Sequence, residues 1–198
     1  MFPPVWSMDD LPSEFPTQGF EFRVVDLSKG PWLPLVRRFF DQQSERERAE
    51  FHMGNTLLEE IHSNPIARYF GVVRPSGPGL VGFMGTWIVD WEAEIHHFFI
   101  DPSYRGKGLG SLLLARFLRY AEETGIRRVY LEVRASNLSA RNVYSRLGFL
   151  PSGIREHYYQ GPSEDAVLMV YNAGTVEGNG NENPSPSSGP VSMEGPLA

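Results

Sequence analysis

Arg105-Gly106-Lys107-Gly108-Leu109-Gly110-Ser111 is the stretch on which the reading of this chain turns. It follows Glu94 to Ile100, which reads as a strand, and opens a helix. Leu109, Leu112, Leu113, Phe117, Tyr120 and Ala121 give that helix one apolar face, and Gly125 suits its C′ position. Glycines between a strand and a helix let the backbone approach a ligand with no Cβ in the way. The N–H groups of the first helical turn lack intrahelical partners and point outward with the positive end of the dipole. A pyrophosphate is the natural anion for such a place, and Arg105 and Lys107 add positive charge. The other reading is a tight turn whose glycines serve geometry alone. A Walker loop is excluded by the missing Lys-Ser/Thr ending, and G-x-G-x-x-G by a third glycine two residues after the second.

Upstream, Phe20, Phe22 and Val24 suggest a first strand, and Trp32, Leu35, Val36, Phe39 and Phe40 the face of an amphipathic helix. A long polar insertion, Asp41 to Glu50, follows. Thr56 with Glu59 reads as a capping box that opens a second helix, stopped before Pro65. Ala67 to Val73 and Leu80 to Asp90 read as strands joined in a hairpin by Pro75-Ser76-Gly77-Pro78-Gly79. Downstream, Val129, Leu131 and Val133 alternate with Tyr130, Glu132 and Arg134 as a strand, and Asn137 to Leu147 is a short helix closed by Gly148. Phe149 to Tyr159 and Ala166 to Tyr171 form a closing pair around Gly161-Pro162. Strands alternating with helices and then a hairpin predict an α/β (α+β) domain, a mixed sheet covered by helices.

The ends differ from this middle. Residues 1–19 carry Pro3, Pro4, Pro12 and Pro16 and read as an irregular arm. In residues 173–198 the stretch Val176 to Ala198 holds four Gly, four Pro and no aromatic or basic residue. Such a tail has too little apolar surface to offset its ordering entropy and is predicted to be disordered. The globular part is then residues 20–172 of 198, one domain with a sizeable core. Cysteine is absent, which excludes disulfides, thiolate metal sites and a cysteine nucleophile. The best apolar run, Val81 to Val89, is broken by Gly82 and Gly85 and falls short of the ~20 residues that span a bilayer. The first basic residue is Arg23, so no signal peptide is expected. A net charge of -6 disfavours a phosphate backbone as partner. The expectation is a cytoplasmic protein that binds neither nucleic acid nor membrane.

The loop resembles the Q/R-x-x-G-x-G/A signature with which GNAT N-acetyltransferases hold the pyrophosphate of acetyl-CoA. The match continues in register through Leu131-Glu132-Val133-Arg134-Ala135-Ser136-Asn137, Tyr144, Leu147-Gly148-Phe149, Arg155, Tyr158-Tyr159 and Glu164-Asp165-Ala166 to Met169. This set is similar to the ribosomal-protein-alanine N-acetyltransferases of that family, over about two fifths of the chain. The resemblance implies a splayed sheet of about seven strands, acetyl-CoA as co-substrate and no metal. It implies that the main chain of Phe98, Phe99 and Ile100 meets the pantetheine arm and supplies an N–H to the thioester carbonyl. Arg105, Gly106, Lys107, Gly108, Leu109, Gly110 and Ser111 would hold the pyrophosphate, and Asn137 would touch the cofactor unless it is a plain N-cap.

By the same resemblance, Glu132 is the general base and Tyr144 the general acid. The chemistry needs both, because an ammonium cannot attack a thioester and the collapsing intermediate expels a thiolate. The residues alone allow a cross-strand ion pair of Glu132, with Arg134 as partner, and half-buried packing for Tyr144. His96 and His97, as strand neighbours, should face opposite ways and so could not chelate one metal together. Tyr158 and Tyr159 likewise should point to opposite faces, on a hairpin that by resemblance lines the acceptor groove. The first ninety residues do not follow the family's pattern: Gly30-Pro31-Trp32 is the nearest counterpart to its aromatic segment. Three functions are therefore carried forward. The first is acetylation of a protein N-terminal amine, the second acetylation of a small amine or polyamine, and the third a non-catalytic acyl-CoA-binding module.

Overall fold

In the computed structural model, which describes residues 22–28, 32–51, 53–74, 79–160 and 162–174, the strands pair into one mixed sheet. The elements run β1 (Arg23–Asp26), α1 (Leu33–Gln42), α2 (Glu45–Glu50), α3 (Asn55–Ser63), β2 (Ala67–Arg74), β3 (Gly79–Val89), β4 (Glu92–Ile100), α4 (Leu109–Thr124), β5 (Arg128–Arg134), α5 (Leu138–Arg146), β6 (Leu150–Gln160) and β7 (Ser163–Asn172). The seven strands lie in the order β1-β2-β3-β4-β5-β7-β6. All neighbours are antiparallel except β4 and β5, the pair that the long helix α4 connects. A parallel pair needs such a crossover. The arm (1–19), most of the tail (175–198), the residues 75–78 between β2 and β3, and Gly161 lie outside the described residues.

Each face of the sheet carries its own core. On one, Leu109, Leu112, Leu113 and Phe117 of α4 pack on Ile95, Val129, Leu131 and Val133. On the other, Val36, Phe39 and Phe40 of α1 and Leu57, Leu58 and Ile61 of α3 cover Tyr69, Phe83 and Phe99. Burying side chains of this size contributes ~1.5–3 kcal/mol each. The α1 and α4 periodicities are thus the apolar faces read from the sequence.

One local expectation fails. The second predicted helix starts at Asn55, capped by Gly54 in an extended conformation with no side-chain bond, so Thr56 is helical and the Thr56–Glu59 capping box does not form. A real capping box lies within the supposed insertion. Ser44 Oγ accepts from the Glu47 N–H while Glu47 reaches back to the Ser44 N–H, which starts α2.

Gly125 closes α4 with φ +83, and a Cβ there would meet no atom within 4 Å. The glycine is needed for backbone conformation rather than for space. Gly125→Ala should therefore lower stability by about 1–2 kcal/mol, the cost of a left-handed Cβ. Thermal unfolding should show it as a drop of a few degrees, and an unchanged midpoint would mean that the helix end re-forms another way.

Candidate active site

The sheet opens in its middle. β4 pairs with β5 only through Glu92, Ala93, Glu94 and Ile95, against Arg128, Val129, Tyr130 and Leu131. Beyond that point Phe98, Phe99 and Ile100 keep β3 as partner on one side, and Glu132, Val133 and Arg134 keep β7 on the other. The backbone groups that line the gap need hydrogen-bond partners, and an extended chain carrying amides can supply them. Phe99 turns its side chain into the α1–α3 core, while Phe98 and Ile100 pack towards α4. All three are held by packing, and only their main chain faces the opening.

The glycine loop sits at the mouth of this gap. Gly106 and Gly108 have φ +75 and +79, with open space where a Cβ would stand. Gly108 is the N-cap of α4 and makes no side-chain cap bond, so the helix's first N–H groups remain donors for an incoming anion. The Leu109 side chain is buried in the core and can offer only backbone. Gly110 is in the first turn, where a Cβ would reach Phe98 at an ordinary 3.7 Å. The two cations of the loop are engaged: Arg105 Nε donates to the Ile100 carbonyl at 2.8 Å, and Lys107 Nζ to the Ser103 carbonyl at 3.1 Å.

Glu132 and Tyr144 lie on opposite sides of the opening. Glu132 alternates with Leu131 and Val133, which belong to the α4-side core, and so faces away from it. Its carboxylate is 2.8 Å from the Arg155 guanidinium, whereas Arg134, the partner expected from sequence, pairs with Glu164 at 3.3 Å. The Tyr158 phenol lies beside Glu132, and burial first, then this carboxylate, pushes it up to about 12. Tyr159 is likewise at about 12, through burial and then the Glu132 charge. The Glu94 carboxyl is raised by loss of water and next by repulsion from Glu132. Tyr144 is on the α4 side, 7% exposed, with its ring between Phe98 (6.1 Å) and Phe149 (6.0 Å). Burial holds its phenol above the ordinary value, so at neutral pH it keeps a proton to give. Asn137 does act as a cap, its Oδ1 accepting from the Ala140 N–H at 3.1 Å.

Two bulges overturn the strand-parity expectations. Opposite β3, Gly85 pairs with His97 and Thr86 with Ile95, so His96 is an extra residue. An inserted residue reverses the alternation. His96 and His97 consequently lie side by side, rings 4.8 Å apart, instead of on opposite faces. They meet Glu60 of α3, whose Oε1 is 3.3 Å from His96 Nε2 and accepts from Trp87 Nε1 at 2.6 Å. Burial opposes the Glu60 charge, but the hydrogen bonds of His96 and Trp87 outweigh it and hold the carboxyl at about 2. On β6 a second bulge between Arg155 and Tyr159, with His157 at φ +54, brings the Tyr158 and Tyr159 rings to 5.1 Å. Sequence reasoning passes over Glu60 and Trp87, because nothing in a helical glutamate or a strand tryptophan tells that the fold joins them.

The comparisons with known proteins agree with this geometry. The ribosomal protein bS18-alanine N-acetyltransferase of Haemophilus influenzae is 37% identical over 134 residues, covering 66% of this chain and 90% of that protein. Its counterpart in Escherichia coli K12 is 36% identical over 110 residues, 54% of this chain and 74% of that one. The crystal structure of the Escherichia coli ribosomal-protein-S18-alanine N-acetyltransferase superposes with a TM-score of 0.60 at 26% identity, covering 83% of this chain and 99% of that one. The model of the acetyltransferase (GNAT) family matches residues 32–149, which span the opening, the glycine loop, Glu132 and Tyr144. More than half of the chain follows that pattern, and the protein therefore belongs to the GNAT family of acetyltransferases, which use acetyl-CoA.

Proposed function

We propose that this protein transfers the acetyl group of acetyl-CoA to the N-terminal α-amine of a protein, as the names of its relatives describe for ribosomal protein bS18. The observation that carries the reading is the opening between β4 and β5, with a carboxylate on one face and a protonated phenol on the other. The pantetheine arm lies in the opening and bonds to the main chain of Phe98, Phe99 and Ile100. The pyrophosphate rests on the Gly106–Ser111 backbone. An amine arrives on the Glu132 face and loses a proton to that carboxylate, directly or through water. Its nitrogen attacks the thioester carbon, and the oxyanion faces a β4 N–H. As the C–S bond breaks, the thiolate leaves on the other face and takes the Tyr144 proton, while the second proton of the attacking nitrogen passes to water and the phenolate is reprotonated from solvent. Arg155 and Tyr158 fix the orientation of Glu132, which is why the hairpin of β6 and β7 belongs to the acceptor side.

The choice of acceptor rests on magnitude as well as likeness. An α-amine has pKa ~7.7–8.0 and lysine ~10.4, so at pH 7 lysine costs roughly 3 kcal/mol more to deprotonate. One carboxylate is a sufficient base for the first. A thioester-cleavage assay should therefore give peptides with a free N-terminal alanine a kcat/KM at least tenfold above Nα-blocked, lysine-containing peptides and spermidine. Preference for the polyamine would overturn the acceptor, and absence of turnover with every amine would reduce the protein to an acyl-CoA-binding module. Among the described residues no helix is long and apolar enough to cross a membrane.

A further inference from the structure

Glu60, His96 and His97 converge on the sheet face covered by α1 and α3, and acetyl transfer as set out above gives none of them a task. We propose that these three side chains bind a divalent transition-metal ion of the zinc class. The inference does not depend on the acetyl-transfer reading.

The backbone supplies the first argument. A regular strand would separate the two imidazoles, and the extra residue in β4 puts both on one face, toward the helix that carries Glu60. The donor atoms then decide the chemistry. One nitrogen of each imidazole and one oxygen of Glu60 lie within 4.8 Å of one another. Glu60 Oε1 and His96 Nε2 are 3.3 Å apart. Ligand bonds of ~2.0–2.1 Å in a tetrahedral site place two ligand atoms roughly 3.3 Å from each other. Drawing the widest separation, 4.8 Å, to that value takes a side-chain movement of about 1.5 Å. Two histidines and one carboxylate are a familiar zinc set that leaves a fourth position for water.

The surroundings add to this. His96 Nδ1 is the one buried side-chain nitrogen or oxygen without a hydrogen-bond partner among the described residues. Its Nε2 meets both Glu60 and the Tyr69 hydroxyl, at 3.3 and 3.2 Å. Nε2 is thus the nitrogen that faces Glu60 and the one offered to the ion. Trp87 Nε1–H bonds the same Glu60 oxygen and fixes the carboxylate's orientation, the kind of outer contact that orients metal ligands. The competing account is that Tyr69, His96, Glu60 and Trp87 form a hydrogen-bond network with no ion.

Calorimetric titration of the metal-free, full-length protein with Zn²⁺ decides between them, with Co²⁺ as the optical probe. The expected result is saturable one-to-one binding and a tetrahedral cobalt absorption. His97→Asn and Glu60→Gln should each weaken binding by no less than the ~10–100-fold that losing an outer-shell partner costs. Loss of the cobalt band should accompany His97→Asn, while His62→Gln and His157→Gln should bind as the parent does. Matching thermal melts keep the variants interpretable. Absence of saturable binding, or affinity unchanged in His97→Asn and Glu60→Gln with intact melts, would overturn the proposal in favour of the network.

Discussion

Glu132→Gln is expected to lower the rate of acetyl transfer by roughly 10²–10⁴ at neutral pH, the range lost with a general base. The substitution preserves shape, so cofactor affinity and folding should hold. It also removes the negative end of the contact with Arg155, a bond of 2.8 Å, and leaves that cation without its carboxylate. Arg155→Ala is the companion variant: it should slow turnover less, because it loosens the carboxylate without removing it. The sign of the pH response separates the roles. An α-amine titrates near ~7.7–8.0, so raising the pH lets solvent do what the neutral amide side chain cannot, and much of the loss should be recovered. Tyr144→Phe should behave otherwise. Burial holds that phenol protonated through neutral pH, and its loss should reduce turnover with no recovery in alkali. Full activity of Glu132→Gln at pH 7 would place the base elsewhere.

Gly108→Asp should abolish the rise in melting temperature that acetyl-CoA gives the wild type. A ligand bound only by the folded state stabilises by RT ln(1 + [L]/Kd), about 2.7 kcal/mol at a hundredfold excess over Kd. The substitution acts twice. It sets a negative side chain before donors otherwise open to the pyrophosphate, and it forces a Cβ onto φ +79 at a strain cost of about 1–2 kcal/mol. Gly110→Ala separates these effects, since its Cβ meets Phe98 at an ordinary 3.7 Å and the backbone is helical. That variant should fold and bind normally. Retention of the full acetyl-CoA shift in Gly108→Asp would show that the pyrophosphate lies away from this loop.

Much of this can be read in the chain because its signals are local. The period of α4 and its closing Gly125, the alternation of β5, and the glycines between β4 and α4 are written within a few residues. What eludes the sequence depends on distant pairing. The partner of Glu132 is Arg155 rather than Arg134, because β7 lies between β5 and β6 and the nearest cation comes in from two strands away. Simple alternation puts His96 and His97, and likewise Tyr158 and Tyr159, on opposite faces; one extra residue in β4 and two in β6 cancel it, and no composition announces them. The Ser44–Glu47 capping box is legible by the same rule that misplaces one at Thr56. A run of polar residues disguises the first, and the second fails because the helix begins at Asn55, which leaves Gly54, without a side chain, at the cap.

The four paired positions that join β4 to β5 have a mechanical meaning. They divide the sheet into two plates, β1 to β4 and β5 to β7, joined by a short hinge of strand pairing at one end and, on one face, by the α4 core that packs on both. Phe98 belongs to the first plate and Glu132 to the second, so the separation of the two strands beyond Ile95 follows the angle between plates rather than any one side chain. Filling the wedge fixes that angle. On the proposed mechanism, residues around the hinge, Ala93 and Val129 among them, would set the alignment of a reaction that none of them touches.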